Sequence, residues 1–255
     1  MKGINMMIML YFSGTGNSKY IAKQFCTRMK ATCHSIEEDI DFEKLIGTEN
    51  TIGFCYPIYM SSVPRIMREF LSKHMKALKG KKIIILCTQW LLSGDGTRKF
   101  ALLLPKNHVE IIYTAHFFMP NNMNDIVFLP ISKGKALEDY RIRANRKIEL
   151  ICNHIKNGKI KKRGFSILAI MLGFPQAFFM TSTEKWANKA VRINSHCNQC
   201  GICIKTCPMH NFHIHGGKVQ QKQNCTMCYR CINTCPKKAI NIFVPGKIKK
   251  QYKGI

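Results

Sequence analysis

The sequence predicts an α/β domain with a doubly wound parallel sheet, followed by a small cysteine-rich α+β module. Three observations support this. Five apolar runs alternate with helical patterns over the first 157 residues, a glycine-rich loop follows the first of these runs, and eight of the thirteen cysteines lie between residues 197 and 235. A chain of 255 residues is long enough for one medium-sized domain and a small one.

The five apolar runs are typical of strands that are buried on both faces. They are 6–12 (MMIMLYF), a weaker run at 31–36, 51–56 (TIGFCY), 82–88 (KIIILCT) and 109–117 (VEIIYTAHF). Helical patterns connect them, at 17–29, 38–46, 64–77, 96–104 and 133–157. Such alternation predicts a parallel five-stranded sheet covered by helices, which completes a domain at about residues 1–158.

Residues 159–189 are predicted to connect this domain to the cysteine module. The connector starts with KIKKR at 159–163 and continues with twenty uncharged residues, 164–183. That length suits a membrane span, but Gly173, Pro175 and Gln176 interrupt it, so we interpret it as a buried or interfacial connector. The adjacent basic run also suits an anionic membrane surface, which leaves peripheral attachment open.

The cysteine module contains an internal repeat. CNQCGICIKTCP begins at residue 197 and CTMCYRCINTCP at residue 225, each with the spacing C-x2-C-x2-C-x3-C-P. Three cysteines at this spacing can hold one face of a [4Fe-4S] cluster, while the fourth ligates the other cluster. The first predicted ligand set is Cys197, Cys200, Cys203 and Cys235. The second is Cys207, Cys225, Cys228 and Cys231.

Zinc is the alternative for such a motif, because it also binds C-x2-C pairs. Zinc sites usually take two such pairs, whereas this repeat has two triplets, each followed by a fourth cysteine and a proline. The pattern therefore favours two [4Fe-4S] clusters. Over residues 190–244 it resembles the bacterial two-cluster ferredoxins, which implies a ferredoxin domain at 190–255. Unlike that commonly acidic family, this module has no Asp or Glu.

The glycine-rich loop, YFSGTGNSKY at 11–20, lies between a predicted strand and a predicted helix. Free N–H groups at a helix N-terminus bind phosphate, Gly14 and Gly16 permit close approach, and hydroxyl and amide side chains add hydrogen bonds. These side chains belong to Ser13, Thr15, Asn17 and Ser18. The loop matches neither the P-loop nor the dinucleotide fingerprint G-x-G-x-x-G.

The loop does match [ST]-x-T-G-N-[ST], and over residues 5–157 the chain resembles the flavodoxins. This resemblance implies bound FMN and the strand order 2-1-3-4-5. It also implies that the loops after strands three and four flank the flavin ring. The predicted ring-side residues are Pro57, Ile58, Tyr59, Trp90, Gly94 and Asp95.

A flavodoxin-like domain fused to a two-cluster ferredoxin resembles the EFR1-type ferredoxin family. Our leading hypothesis is an electron-transfer protein that carries low-potential electrons between the clusters, FMN and a protein partner. The alternative is an FMN-dependent reductase of a small molecule fed by the clusters. We assign no catalytic residue, because adjacent carboxylates such as Glu37 and Glu38 do not face each other on a helix.

The net charge of +26 predicts an anionic partner. Residues 185–255 contain thirteen Lys and Arg and no acid, which favours an acidic redox protein or an anionic membrane. Nucleic acid is disfavoured because aromatic residues are not interleaved with the basic ones. The tail 247–254 is interpreted as a solvated end. The N-terminal run lacks a cleavage site and is interpreted as a strand, so we expect a cytoplasmic protein.

Overall fold

Six parallel strands form the sheet of the N-terminal module in the order β2-β1-β3-β4-β5-β6. The computed structural model describes residues 7–91, 93–126, 128–246 and 248–255; Met6, the predicted start of the first strand, and Lys247, the start of the tail, lie outside them. The strands are β1 (Met7–Tyr11), β2 (Thr32–Ser35), β3 (Thr51–Pro57), β4 (Lys82–Gln89), β5 (Glu110–Phe118) and β6 (Lys161–Lys162). The predicted order 2-1-3-4-5 is confirmed.

The sixth strand was not predicted. It consists of two lysines from the basic run, which pair in parallel with Tyr113 and Thr114 of β5. Two exposed, charged residues carry no hydrophobic periodicity, so the sequence gives no signal of an edge strand there.

Five helices cover the two faces of this sheet. They are α1 (Asn17–Met29), α2 (Phe42–Thr48), α3 (Arg65–His74), α4 (Gly96–Ala101) and α5 (Lys135–Lys156). Helix α2 begins four residues later than predicted because the Asp41 side chain caps it, accepting a 3.0 Å hydrogen bond from the Lys44 N–H. Alternate strand residues enter different cores: Leu10 packs on the side of α3, and Met9 packs on the side of α1 and α5.

The C-terminal module is a small α+β unit. Its elements are α6 (Ile167–Ala190), β7 (Arg192–Ile193), α7 (Ile202–Thr206), β8 (Phe212–His215), β9 (Lys218–Gln221), α8 (Arg230–Thr234) and β10 (Ile240–Asn241). Strand β7 pairs antiparallel with β10, and β8 pairs antiparallel with β9.

The predicted connector is largely the 24-residue helix α6, which packs on the loop between β4 and α4. The contact is made by two glycines: a methyl group on Gly173 would overlap Asp95, and one on Gly94 would overlap the Ala169 carbonyl. The opposite face of α6 is exposed, so the predicted connector is buried on one side only. Within the described residues, none of the helices is both long enough and apolar enough to cross a membrane.

The interpretation of the tail as a solvated end is wrong. Tyr252 is buried, its hydroxyl donates to Asn17 Oδ1 in the N-terminal module, and its N–H donates to Asn233 Oδ1 over 2.7 Å. The tail therefore contacts both modules. Its many lysines are typical of a solvent-exposed segment, which is why the sequence did not predict this packing.

Candidate cofactor sites

A cavity of about 340 Å³ lies at the carboxyl ends of β1, β3, β4 and β5. The connections that follow the neighbouring strands β1 and β3 run to opposite sides of the sheet at this point. Ligands of open α/β sheets bind where the connections diverge in this way. Nine of the twelve predicted flavin-binding residues line this cavity. They are Ser13, Gly14, Thr15, Asn17, Ser18, Pro57, Ile58, Tyr59 and Trp90.

The glycine-rich loop turns sharply at Gly16, whose φ of +106° favours glycine. The Gly16 N–H donates to Ser13 Oγ over 3.1 Å, and Asn122 Nδ2 donates to Thr15 Oγ1 over 2.9 Å. Both hydroxyl oxygens are acceptors in these bonds, so each O–H remains available for a ligand. Together with the N-terminus of α1, this gives the loop the donors that an anion requires.

The two other polar side chains of the loop hold it in place. Ser18 Oγ lies 2.8 Å from Thr88 Oγ1 of β4. The Asn17 amide donates to the Pro120 carbonyl over 2.9 Å and accepts from Tyr252. These bonds fix the loop relative to β4, the segment after β5 and the C-terminal tail.

The other three predicted residues lie outside the cavity lining. Gly16 borders a neighbouring polar groove. The Gly94 N–H donates to Ser61 Oγ over 2.9 Å, and Asp95 is buried beside Arg98 at 2.8 Å. Helix α6 occupies the space next to Gly94 and Asp95, so these residues pack against a helix instead of facing the cavity.

Two buried polar groups of cavity-lining residues have no hydrogen-bond partner among the described residues. They are the Tyr59 hydroxyl and Gln89 Nε2. Burial, with smaller effects from Cys228 and Cys225, raises the pKa of Tyr59 well above its usual value, so its hydroxyl remains a donor. A flat ligand with acceptor atoms on its edge would satisfy unpaired donors of this kind.

Part of the cavity wall comes from segments that the sequence analysis did not include. Residues 119–123 follow β5, and the rule that placed the other loops at the carboxyl edge could have identified them. Helix α6 adds Gln176 and Thr183, and the C-terminal module adds three residues. These three are Met227, Tyr229 and Phe243. No local motif identifies these residues, because they reach the cavity only through packing between segments that are far apart in the sequence.

The eight motif cysteines border two separate pockets. The inner set, Cys207, Cys225, Cys228 and Cys231, borders one pocket. The outer set, Cys197, Cys200, Cys203 and Cys235, borders the other. Each pocket thus brings together the four cysteines of one predicted ligand set. Nowhere in the described part of the chain do three His, Cys, Asp or Glu side chains converge as a single metal ion requires.

Two short helices join the cysteine sets. Helix α7 contains Cys203 of the outer set and is followed by Cys207 of the inner set. Helix α8 contains Cys231 of the inner set and is followed by Cys235 of the outer set. The C-x3-C spacing therefore uses one helical turn to connect the two pockets.

Burial keeps several of these thiols protonated when they carry no ligand. It raises the pKa of Cys203 and Cys225 to about 11 and of Cys228 to about 12, with neighbouring cysteines adding to the effect for Cys203 and Cys228. Cluster ligation requires thiolates, so assembly must release these protons and is coupled to the folding of this module.

Arg230 connects the C-terminal module to the glycine-rich loop. Its guanidinium donates to the carbonyls of Ser13 and Gly14 over 2.8 and 3.2 Å. It also binds both carboxylate oxygens of Glu37 over 2.6 and 2.7 Å. Gly14 lies directly against the Cys228 carbonyl, where a Cβ atom would overlap it.

Tyr229 lines both the cavity and the pocket of the inner set. Its hydroxyl donates to Asp125 Oδ1 over 2.9 Å, and the other Asp125 oxygen accepts from the N–H groups of Ile242 and Phe243 over 2.7 Å. Asp125, from the N-terminal module, thereby fixes the wall that separates the two sites.

The Flavodoxin domain family model matches residues 8–159, which is more than half of the chain. The chain belongs to the flavodoxin family. A second model, the 4Fe-4S dicluster domain, matches residues 189–236. The flavodoxin domain implies FMN and the dicluster domain implies 4Fe-4S clusters, which together give this protein a role in electron transfer.

Solved structures similar to the chain include flavodoxins. Two-electron reduced Megasphaera elsdenii flavodoxin is 19% identical, covering 55% of this chain and 99% of its own, with a TM-score of 0.39. Oxidised flavodoxin 2 from Bacillus cereus is 15% identical, covering 59% of this chain and 99% of its own, with a TM-score of 0.39. No match was found among the curated proteins.

The cavity fits FMN in the chemistry of its lining. The glycine-rich loop offers donors to a phosphate, and Tyr59 and Gln89, which line the cavity, each hold a buried donor without a partner among the described residues. Trp90 and Met227 add apolar surface. Residues of the flavodoxin domain would thus hold the phosphate, and Met227 and Tyr229 of the dicluster domain form part of the cavity wall.

We predict that Arg230→Ala weakens FMN binding about tenfold, equivalent to about 1.4 kcal/mol, because the loop carbonyls and Glu37 lose a charged donor. Release of fluorescent FMN on dilution of the holoprotein measures this. Arg143→Ala is the control, since Arg143 is exposed on α5, donates to the Asp139 carbonyl of the same helix and should leave affinity unchanged. Equal FMN release by the two variants would contradict the role of Arg230.

Proposed function

We propose that this protein is an electron carrier in which FMN, the inner cluster and the outer cluster form one continuous route that leads to an acidic redox protein. When bound, FMN exchanges one or two electrons and each cluster exchanges one. The chain itself has to hold these groups close together, keep water out and present one end of the route to a partner.

The observation that carries the proposal is the shared wall between the cavity and the inner set. Met227 and Tyr229 line the cavity, and the residue between them, Cys228, belongs to the inner set. The separation between the two sites is therefore about one side chain. Tyr59, which also lines the cavity, packs against the hydrophobic cluster that contains Cys225 and Met227.

The two cysteine sets differ in their exposure to solvent, which indicates the end of the route that a partner can reach. The cysteines of the inner set are buried, apart from the half-buried Cys207, and they lie beneath the flavodoxin domain. In the outer set Cys200 is exposed and Cys197 is half-buried. The outer cluster is thus the one that a protein partner can approach, while the inner cluster serves the flavin.

The charge of the C-terminal module supports an acidic partner. Residues 185–255 contain no Asp or Glu, and exposed lysines such as Lys218 lie next to residues that border the outer pocket. A positive surface steers an acidic protein toward the exposed cluster, and the effect weakens as salt rises. The same field stabilises the reduced, more negative clusters.

Anaerobic titration of the holoprotein with dithionite tests the cofactor content. We expect uptake of roughly four electrons per chain, two by FMN and one by each of two clusters, followed in the flavin and iron–sulfur absorbance. Uptake of about two electrons without a flavin band would refute the route. Rapid turnover of a small molecule without a protein partner would favour a reductase instead.

Charge reversal near the outer set tests the partner. We expect Lys218→Glu to lower the association rate of the reduced holoprotein with an acidic flavodoxin by roughly threefold to tenfold at low salt, measured by stopped-flow absorbance. Lys44→Glu on α2 changes the net charge equally and should have a smaller effect. If both variants respond alike, net charge and not a docking surface sets the rate.

A further inference from the structure

We propose that the outer face of α6 is a docking surface for an anionic lipid bilayer. The helix exposes large apolar side chains over most of its length. They are Ile167, Leu168, Met171, Leu172, Phe174, Phe178 and Phe179, and the exposed fractions of Ile167 and Phe178 are 78% and 70%. A contiguous group of this kind is unusual on the surface of a soluble protein and marks an interaction site.

Four of these side chains form one stripe on the helix, and Leu168, Leu172 and Phe179 lie beside it. Ile167, Met171, Phe174 and Phe178 follow the i, i+4, i+7, i+11 spacing of a single helical face. The opposite face holds the buried residues, including Gly173, which packs on Asp95. Helix α6 is therefore anchored to the protein along one side and presents its apolar side outward.

Basic residues flank the stripe at both ends. Lys159, Lys161, Lys162 and Arg163 are exposed immediately before α6. At the other end Lys185 and Lys189 are exposed, and they continue the spacing of the stripe, seven and eleven residues after Phe178.

Carboxylates are almost absent from this segment. The single carboxylate between residues 159 and 190 is Glu184, which binds Arg68 at 2.7 Å and is only 12% exposed. An apolar stripe between basic clusters complements acyl chains bordered by anionic headgroups.

The same charges argue against a second copy of this chain as the occupant. Pairing two α6 faces would bring two basic clusters together in a molecule with a formal charge of +26. An anionic bilayer has no such penalty, because each lysine gains a counter-charge. Bilayer contact also places the cavity about one helix diameter, roughly 10 Å, from the lipid, since Gln176 and Thr183 of α6 line it.

Sedimentation of the holoprotein with vesicles tests this surface. We expect binding to phosphatidylcholine vesicles that contain one quarter phosphatidylglycerol, and at least tenfold weaker binding to pure phosphatidylcholine. Phe174→Ser with Phe178→Ser should weaken binding to the anionic vesicles at least tenfold. The control is Leu150→Ser, which removes an apolar side chain that is 52% exposed on α5 and should leave binding unchanged.

A second test reverses basic residues beside α6 and leaves its apolar side chains unchanged. Lys161→Glu with Lys162→Glu should reduce binding to anionic vesicles more than Lys23→Glu with Lys30→Glu, an equal charge change on and just after α1. All variants should keep the flavin and cluster absorbance, since the altered side chains are exposed. Equal binding to both vesicle types, no binding at low salt, or a concentration-dependent dimer that the Phe174 and Phe178 substitutions abolish would overturn the proposal.

Discussion

Arg230 holds the two domains in register at the point where both cofactor sites meet. Its guanidinium presents several donors in one plane, so it can satisfy the carbonyls of Ser13 and Gly14 and both oxygens of Glu37 at once. By bonding these carbonyls, Arg230 fixes the backbone of the glycine-rich loop. A lysine in this position could supply the charge, but not this fixed geometry.

Arg230 enters this region as one half of an ion pair, because both carboxylate oxygens of Glu37 bind its guanidinium. A phosphate and an iron–sulfur cluster held by four thiolates are both anionic, and the sites proposed for them approach each other at the contact of Gly14 with Cys228. Since Glu37 compensates the charge of Arg230, the pair contributes hydrogen bonds to this contact and little net charge. Asp125 stabilises the neighbouring wall differently, by accepting hydrogen bonds from Tyr229 and from the chain at Ile242.

Local patterns predicted what depends on local residues. The five main strands follow from apolar runs, and the grouping of the cysteines follows from a spacing that one helical turn can bridge, as between Cys203 and Cys207. Contacts between distant segments were not predictable. Arg230 and Glu37 are 193 residues apart, and nothing in either neighbourhood indicates a pair. Gly94 was predicted to face the ligand because it follows β4. Helix α6, a distant segment, occupies that space instead.

The most direct test is a crystal structure of the anaerobically purified holoprotein, with anomalous data collected at the iron absorption edge. The account predicts two iron peaks, one within each four-cysteine set. It also predicts FMN density in the cavity, with its phosphate at the N-terminus of α1 and its ring against Met227 and Tyr229. A single iron site, zinc in place of iron, or FMN bound away from Cys228 would contradict the continuous route.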